Sequence, residues 1–288
     1  MKKLLVTGIS GFLGWHIAHH NQTDWQVQGV YQNNKPNYPN IPIKPLNLTD
    51  NQSVINYLKQ YQPDAILHLA ANSNPNNCEQ NPISNNINVK STIHLAKWCA
   101  KQNIPFIFTS TDLVFDGKNA PYAETDEPNP IMIYGKQKLE AEQEVLKIYP
   151  QATVARMPLM YSMPSNGKGF MNAWVKNLKE GKNIYCFTDE YRTAASGSDA
   201  AQGLFLLLEK KANGIFHLGG KERLSRFEFA TQMATHFGLD KSLILPSLQK
   251  DVQMPAKRPA DVSLNNNKAI TIGYNPKNLI ENFELFSF

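Results

Sequence analysis

The sequence predicts an α/β protein, in which a doubly wound parallel sheet is followed by a smaller mixed α/β C-terminal domain. Short, continuous apolar runs alternate with helical patterns through the first half of the chain, as expected where helices cover both faces of a parallel sheet. A glycine-rich turn directly follows the first apolar run, where doubly wound sheets join their first strand to their first helix. The chain has 288 residues, enough for one large domain and a smaller companion.

Six segments of the first half read as strands, and helical patterns lie between them. The strand segments, in order, are "KLLVTG", "WQVQGVY", "IKPLNL", "DAILHLA", "PFIFTS" and "ATVARMP". The clearest helical patterns are "SVINYLKQYQ" and "SNNINVKSTIHLAKWCAKQ". Thr49 and Gln52 have the spacing of a capping box before the first of these helices. Because crossovers between parallel strands are right-handed, this order fixes most of the sheet topology.

The pattern changes after "RMP" at residues 156–158. The loop "SMPSNGKG" leads into a predicted helix over residues 170–180 and a strand, "NIYCF". The segment "SDAAQGLFLLLEKKANGIFHLGG" reads as helix, turn and strand, which fits a return to the main sheet. We therefore expect residues 1–158 and 191–220 to form the sheet domain, and residues 159–190 and 221–288 to form a cap.

Composition argues against several classes of protein. The formal net charge of +5 and the pI near 8.9 come without a dense basic block, so an anionic small molecule suits the charge at least as well as nucleic acid does. Cys78, Cys99 and Cys186 lack CxxC pairing and read as reduced thiols, not as a disulfide or zinc site. No apolar stretch approaches the ~20 residues of a membrane span, and glycines interrupt the apolar N-terminus. We expect a cytoplasmic protein.

The stretch "VTGISGFLG" places Gly8, Gly11 and Gly14 between the first strand and the first helix. Glycine at this turn lets the backbone bend sharply and lets a pyrophosphate approach the free amides of the helix N-terminus. An ordinary glycine-containing turn is the alternative interpretation. The strand–glycine–helix setting favours a dinucleotide-binding Rossmann domain, which leaves substrate binding to the cap.

The end of the second strand indicates which cofactor is bound. It reads "GVYQNNK" and contains neither Asp nor Glu. An acidic residue there would bind a ribose 2′-hydroxyl and repel a 2′-phosphate, whereas Lys35 would attract that phosphate. The sequence therefore favours NADP(H), with NAD(H) as the alternative.

Candidate catalytic groups follow the fifth strand. The segment "FIFTSTDLVFDG" puts Ser110, Thr111 and Asp112 at the carboxyl end of that strand, where open α/β sheets bind ligands. The segment "IYGKQK" puts Tyr134 and Lys138 at i and i+4, on one face of a helix. A lysine cation beside a phenol favours the phenolate and lowers a pKa that starts near 10. We therefore expect Tyr134 to serve as an acid at neutral pH.

Two other features have structural interpretations. Tyr31 and Lys35 repeat the spacing of Tyr134 and Lys138, but they follow a strand on the side of the cofactor's adenosine, away from a reduction site. His68 lies within the fourth strand and reads as a core histidine whose ring nitrogens are satisfied by hydrogen bonds.

The ordered motifs "TGISGFLG", "HLAA", "STDLVFDG", "YGKQK" and "RMP" resemble the extended short-chain dehydrogenase/reductase family over nearly the whole chain. Within it, "PYAETDEPNP", "NCEQNP", "LSRFEFA" and "RPADVSL" are most similar to segments of the dTDP-4-dehydrorhamnose reductases. That group reduces the 4-keto group of a dTDP-linked 6-deoxy sugar in dTDP-L-rhamnose biosynthesis. The resemblance implies an NADPH-dependent oxidoreductase of polysaccharide precursors, with a nucleotide sugar as its substrate.

The resemblance also implies roles for individual residues. Tyr134 would donate a proton to the nascent alkoxide, Lys138 would bind the nicotinamide ribose and lower the tyrosine pKa, and Thr111 would hydrogen-bond the substrate oxygen. The implied cofactor-binding residues are Gly8, Ser10, Gly11, Phe12, Leu13, Gly14, Tyr31, Asn47, Leu48, Leu69, Ala70, Ala71, Ser73, Asn88, Tyr134, Lys138 and Pro158. Family members use Mg²⁺ at a dimer interface, which makes a homodimer an expectation, but no ligand cluster in this sequence supports a metal.

Three departures from the family limit what carries over. Leu113 stands where an aromatic residue is usual, Asn47 replaces an aspartate, and "DEYRTAASGSDAA" lacks the usual Pro-Thr pair. Reductase chemistry is therefore more firmly implied than the particular sugar. Two alternatives stay open. One is another nucleotide-sugar reductase or an epimerase, which stoichiometric use of NADPH would separate. The other is a non-catalytic NADP-binding subunit, similar to the regulatory subunit of methionine adenosyltransferase.

Overall fold

A seven-stranded parallel sheet forms the centre of the protein in a computed structural model that describes residues 1–20, 24–164 and 167–286. Its strands are β1 (Lys2–Thr7), β2 (Trp25–Tyr31), β3 (Ile43–Pro45), β4 (Ala65–His68), β5 (Phe106–Thr111), β6 (Thr153–Met157) and β11 (Gly214–His217). Their order across the sheet is β3-β2-β1-β4-β5-β6-β11. The predicted doubly wound parallel sheet is confirmed, and β11 returns to its edge beside β6 as predicted.

Helices cover both faces of this sheet. The α-helices of the described chain, on and beyond the sheet, are α1 (Phe12–His19), α2 (Asn51–Tyr61), α3 (Pro75–Gln80), α4 (Ser91–Gln102), α5 (Ile133–Ile148), α6 (Phe170–Lys179), α7 (Gly197–Glu209), α8 (Arg226–His236), α9 (Asn267–Thr271) and α10 (Leu279–Phe283). Within the described ranges, none is long and apolar enough to cross a membrane. Leu4 and Val6 of β1 pack into the core that holds α1 and α7, whereas Leu5 packs into the core under α2, α4 and α5. This alternation follows from the two-residue period of a strand.

The remaining strands are short and lie outside the main sheet. They are β7 (Met160–Tyr161), β8 (Ile184–Phe187), β9 (Tyr191–Arg192), β10 (Ala195–Ser196), β12 (Leu224–Ser225) and β13 (Ile244–Ser247). They pair as β7 with β10, β8 with β13 and β9 with β12. The predicted strand "NIYCF" and the helix predicted over residues 170–180 are present as β8 and α6. The predicted loop before α6 includes residues 165 and 166, which lie outside the described residues.

A separate apolar core joins α6, α8, α10 and β8. Tyr161, Met171, Phe229, Met233 and Phe283 are buried together in it. All five lie in the segments expected to form the cap. The division of the chain into two domains at residues 158, 190 and 220 stays a prediction.

The capping box predicted before α2 is wrong by one residue. Asp50, not Thr49, is the N-cap, and its carboxylate accepts hydrogen bonds from Ser53 N at 3.1 Å and Ser53 Oγ at 2.6 Å. The Thr49 hydroxyl instead donates to Asn47 Oδ1 at 2.8 Å. A carboxylate at the helix N-terminus also gains from the helix dipole, which explains why Asp50 takes this position.

Candidate active site

A cleft of about 610 Å³ opens where the carboxyl ends of β1, β4 and β5 meet. The strand order reverses between β1 and β4, and open α/β sheets bind their ligands at this reversal. Most of the residues that the sequence indicated line the cleft. They are Gly8, Ser10, Gly11, Phe12, Leu13, Gly14, Tyr31, Leu48, Leu69, Ala70, Ala71, Ser73, Thr111, Tyr134, Lys138 and Pro158.

The glycine turn leaves room for a phosphate group beside the start of α1. Gly8 has φ +70°, and a Cβ on it would lie 2.7 Å from Ala70 N. A Cβ on Gly14 would lie 2.4 Å from the carbonyl oxygen of Ile9. No side chain caps α1, so its first amides are free to bind an anion. This cradle fits the pyrophosphate of a dinucleotide, and Lys168 Nζ donates to the Ser10 carbonyl at its rim.

Two predicted cofactor contacts do not line the cleft. The Asn47 side-chain oxygen accepts from Thr49 N at 3.0 Å and faces the loop before α2. Asn88 is fully buried within a five-residue π-helical turn, Asn86–Lys90. Its amide exchanges hydrogen bonds with the backbone of Asn72. Their contact with a cofactor therefore stays a prediction.

Thr111, Tyr134 and Lys138 come together on one wall of the cleft. Thr111 ends β5, while Tyr134 and Lys138 lie in the first two turns of α5. The exposed fractions of Thr111, Tyr134 and Lys138 are 6%, 7% and 2%, respectively. An interaction with Thr111 lowers the pKa of Tyr134, and Lys138 Nζ lies 4.1 Å from the centre of the Phe108 ring. A phenol, a hydroxyl and an amine thus line the same cleft.

The sequence predicted that Lys138 lowers the pKa of Tyr134. For the protein without a bound ligand, that prediction is wrong. Burial raises the pKa of Tyr134 well above its usual value, and the Asp112 carboxylate and Cys78 raise it further, while an interaction with Thr111 lowers it. Burial also lowers the pKa of Lys138 to about 7, against the opposing effects of Glu142 and Cys78. Removal from water disfavours the charged form of both groups. Tyr134 therefore keeps its proton at neutral pH, as a proton donor must.

The two structural interpretations are supported. His68 is fully buried, its Nδ1 lies 2.7 Å from Thr7 Oγ1, and its Nε2 lies 2.9 Å from Thr92 Oγ1. Burial, with a further contribution from Lys138, lowers its pKa to about 3, so the ring is neutral. Tyr31 ends β2, and Lys35 is exposed in the loop beyond. The second Tyr–Lys pair therefore lies outside a helix.

The cleft is also lined by charged residues that the sequence did not single out. They are Glu190, Arg192 and Arg258. Arg192 Nε lies 3.5 Å from Asp112 Oδ2, and both side chains are almost fully buried. The only sequence signal for Arg192 was its place in "DEYRTAASGSDAA", the stretch that departs from the family pattern. In the described part of the chain, no group of three or more His, Cys, Asp or Glu side chains could hold a metal ion.

The parallel sheet, the glycine turn and the Thr–Tyr–Lys wall together define an extended short-chain dehydrogenase/reductase. The family comparison agrees, because the model of the RmlD substrate binding domain matches residues 1–282. The chain belongs to that family. Its fold is that of dTDP-4-dehydrorhamnose reductases: the crystal structure of one from Clostridium acetobutylicum has a TM-score of 0.85 and 26% identity, and the match covers 98% of this chain and 99% of that one.

Relatives with curated descriptions have more than one role. A probable low-salt glycan biosynthesis reductase, Agl14 of Haloferax volcanii, is 31% identical over 260 residues, which cover 88% of this chain and 86% of that protein. The methionine adenosyltransferase 2 subunit beta of Danio rerio is 30% identical over 283 residues, which cover 94% of this chain and 85% of that protein. Membership of the family is therefore compatible with both a reductase and a subunit of another enzyme.

Proposed function

We propose that this protein is an NADPH-preferring reductase that acts on the 4-keto group of a nucleotide-linked 6-deoxy sugar, as a dTDP-4-dehydrorhamnose reductase does. The observation that carries the proposal is the convergence of Thr111, Tyr134 and Lys138 in a cleft whose other end is the Gly8–Gly14 turn. The reductase from Clostridium acetobutylicum and the glycan biosynthesis reductase from Haloferax volcanii support the same reaction class.

The cofactor would supply the hydride of the reaction, and the chain would supply the proton. A reduced nicotinamide supplies the hydride. Tyr134, which keeps its proton at neutral pH, donates that proton to the oxygen of the carbonyl as negative charge develops on it. The phenolate left behind then lies near the amine of Lys138, whose protonated form would stabilise it. Thr111 lies in the same cleft, and its interaction with Tyr134 lowers the pKa of the phenol. Burial of all three groups strengthens each of these interactions.

Preference for NADPH is supported by the residues at the end of β2. Tyr31 and Gln32 line the cleft there, and neither carries a carboxylate that would repel a 2′-phosphate. The next residues, Asn33 and Asn34, are also uncharged, and Lys35 follows them in the exposed loop. A structure of dTDP-4-dehydrorhamnose reductase from Bacillus anthracis holds NADP.

A second candidate function is that of a cofactor-binding regulatory subunit. The methionine adenosyltransferase 2 subunit beta relatives, 30% identical over 94% of this chain, favour it. Such a subunit would bind NADP(H) in the same cleft without turning over a ketosugar. The two functions therefore differ in one observable, consumption of the reduced cofactor.

The test follows absorbance of NADPH and of NADH at the reduced nicotinamide band, with dTDP-4-keto-6-deoxy-L-lyxo-hexose as the substrate. Wild type is compared with Tyr134→Phe and with Tyr185→Phe, a control whose side chain is exposed on β8. Oxidation of NADPH that Tyr134→Phe abolishes and Tyr185→Phe preserves supports the reductase. Tight binding of NADPH with no oxidation overturns it in favour of the regulatory subunit.

A further inference from the structure

Arg192 is held rigidly beside the catalytic wall. It is 4% exposed and lies in β9. Its Nη1 donates to the carbonyl of Tyr191 at 2.7 Å and to that of Pro259 at 3.4 Å. Its Nη2 lies 3.5 Å from Glu190 Oε1, and its Nε lies 3.5 Å from Asp112 Oδ2. A planar guanidinium fixed at several points places its charge accurately.

Asp112 links this cation to the catalytic hydroxyls. The residue is 3% exposed, and its Oδ2 accepts no hydrogen bond from the described residues, so Arg192 is the cation that compensates the charge there. Its Oδ1 accepts a hydrogen bond from Thr111 Oγ1 at 3.1 Å. A hydroxyl has one proton and two acceptor sites. Because the Thr111 proton points to Asp112, the Thr111 oxygen is left to accept, and it accepts from Leu113 N at 3.2 Å.

We propose that Arg192 is a positioning residue for the catalytic groups: it keeps Asp112 ionised, and the Asp112 carboxylate fixes the orientation of the Thr111 hydroxyl beside Tyr134. The inference rests on the proposed reductase function for its catalytic consequence. Nothing in the sequence motifs indicates it, because Arg192 lies 80 positions after Asp112 and reaches it only in the fold.

The charges around Asp112 determine the direction in which loss of Arg192 would shift its pKa. Burial raises the pKa of Asp112 to about 6, Arg192 and the hydrogen bond from Thr111 oppose that rise, and Glu190 adds to it. The other charged or titratable groups around the pair are Tyr134 on α5, Arg226 on α8 and Arg258, and both arginines interact with Glu190 and Arg192. Loss of Arg192 would therefore raise the pKa of Asp112 into the neutral range. A protonated carboxyl would release the Thr111 proton, and the orientation of Thr111 would be lost.

Three variants separate this role from a general structural one. Arg192→Met removes the cation, and Glu190→Gln removes the neighbouring carboxylate that raises the pKa of Asp112. Arg223→Met is the matched control, because Arg223 pairs with Asp261, 2.7 Å away, and not with Asp112. The pKa of Asp112 is measured by NMR of protein labelled with ¹³C at the aspartate carboxyls, and its signal is assigned from Asp112→Asn.

We expect the pKa of Asp112 to rise by at least one unit in Arg192→Met, to fall in Glu190→Gln, and to stay unchanged in Arg223→Met. The acidic limb of kcat/KM, measured against pH with NADPH and the ketosugar nucleotide, should move in the same direction in each variant. If Arg192→Met does not fold, Glu190→Gln decides the question alone. An unmoved Asp112 pKa in the folded variants overturns the inference.

Different measurements would overturn the role of Arg192 and the proposed reductase function. A pKa that moves while the acidic limb stays in place overturns the positioning role and leaves a structural ion pair. Wild-type protein that oxidises no NADPH with the ketosugar overturns the reductase, and the catalytic part of the inference with it. The NMR titration needs neither cofactor nor substrate, so it reports on Arg192 and Asp112 in either case.

Discussion

Asn88 Nδ2 lies 2.7 Å from Gln137 Oε1, in a buried contact one residue before Lys138. Gln137 Nε2 in turn donates to Ser84 Oγ at 2.8 Å, and Asn88 also binds both backbone groups of Asn72, at 2.8 and 3.1 Å. Asn88 lies in the π-helical turn before α4, a distortion often found at functional sites. It therefore ties the loop after β4 to the catalytic face of α5.

Asn88→Ala should destabilise the protein and weaken its hold on the cofactor. The substitution leaves Gln137 and the backbone of Asn72 without their partner, and each buried polar group left unsatisfied costs about 1–3 kcal/mol. We expect the free energy of unfolding in urea to fall by about 2 kcal/mol or more and the Kd for NADPH to rise. Gln52→Ala is the control, since Gln52 makes one exposed hydrogen bond on α2. Equal stability of the two variants would contradict the role assigned to Asn88.

Gly8 and Gly181 provide a matched pair for the phosphate cradle. Their φ angles are +70° and +69°, but a Cβ on Gly8 would lie 2.7 Å from Ala70 N, whereas a Cβ on Gly181 would meet nothing within 4 Å. Alanine at either position carries a left-handed backbone cost of about 1 kcal/mol. Only Gly8→Ala also pushes β1 away from the loop after β4. We expect at least a tenfold rise in the Kd for NADPH in Gly8→Ala alone, by fluorescence titration.

The sheet and the catalytic wall could be predicted from sequence because both depend on local pattern. The strands are buried on both faces and read as continuous apolar runs, and Tyr134 and Lys138 lie on one helical face by spacing alone. Arg192, Glu190 and Arg258 could not be predicted. They reach the cleft from segments far along the chain, and no periodicity or motif encodes that approach.

The direction of the pKa shift at Tyr134 could not be predicted from the sequence either. The spacing of Tyr134 and Lys138 indicated only that a cation lies beside the phenol, and this predicts a fall in the phenol pKa. In the fold, the tyrosine and the lysine are both buried, and burial is the largest cause of the pKa shift at each. Burial is a property of the whole structure, so a dipeptide spacing carries no information about it. The shift of the N-cap from Thr49 to Asp50 is a smaller case, in which two adjacent side chains competed for one position.

Three buried histidines should make the protein sensitive to mild acid. Burial is the largest cause of the lowered pKa at each, to about 4 at His16 and about 3 at His68 and His217. Between those values and about 6.5, the unfolded chain binds protons that the folded protein does not, so stability rises with pH. Asp112, whose pKa is raised to about 6, acts in the opposite direction and offsets part of this. The net effect should be a fall in the free energy of unfolding of roughly 2 kcal/mol from pH 6.5 to 5.5.

Urea unfolding at those two pH values, in buffers of equal ionic strength, measures this fall. His68→Gln removes one of the three histidines and keeps a side chain that can hydrogen-bond to Thr7 and Thr92. Its stability should be lower at both pH values, but the difference between them should shrink by roughly 1 kcal/mol. His236→Gln is the control, because His236 is exposed at the end of α8. A fall of the same size in wild type and His68→Gln would show that His68 is not the source of the acid sensitivity.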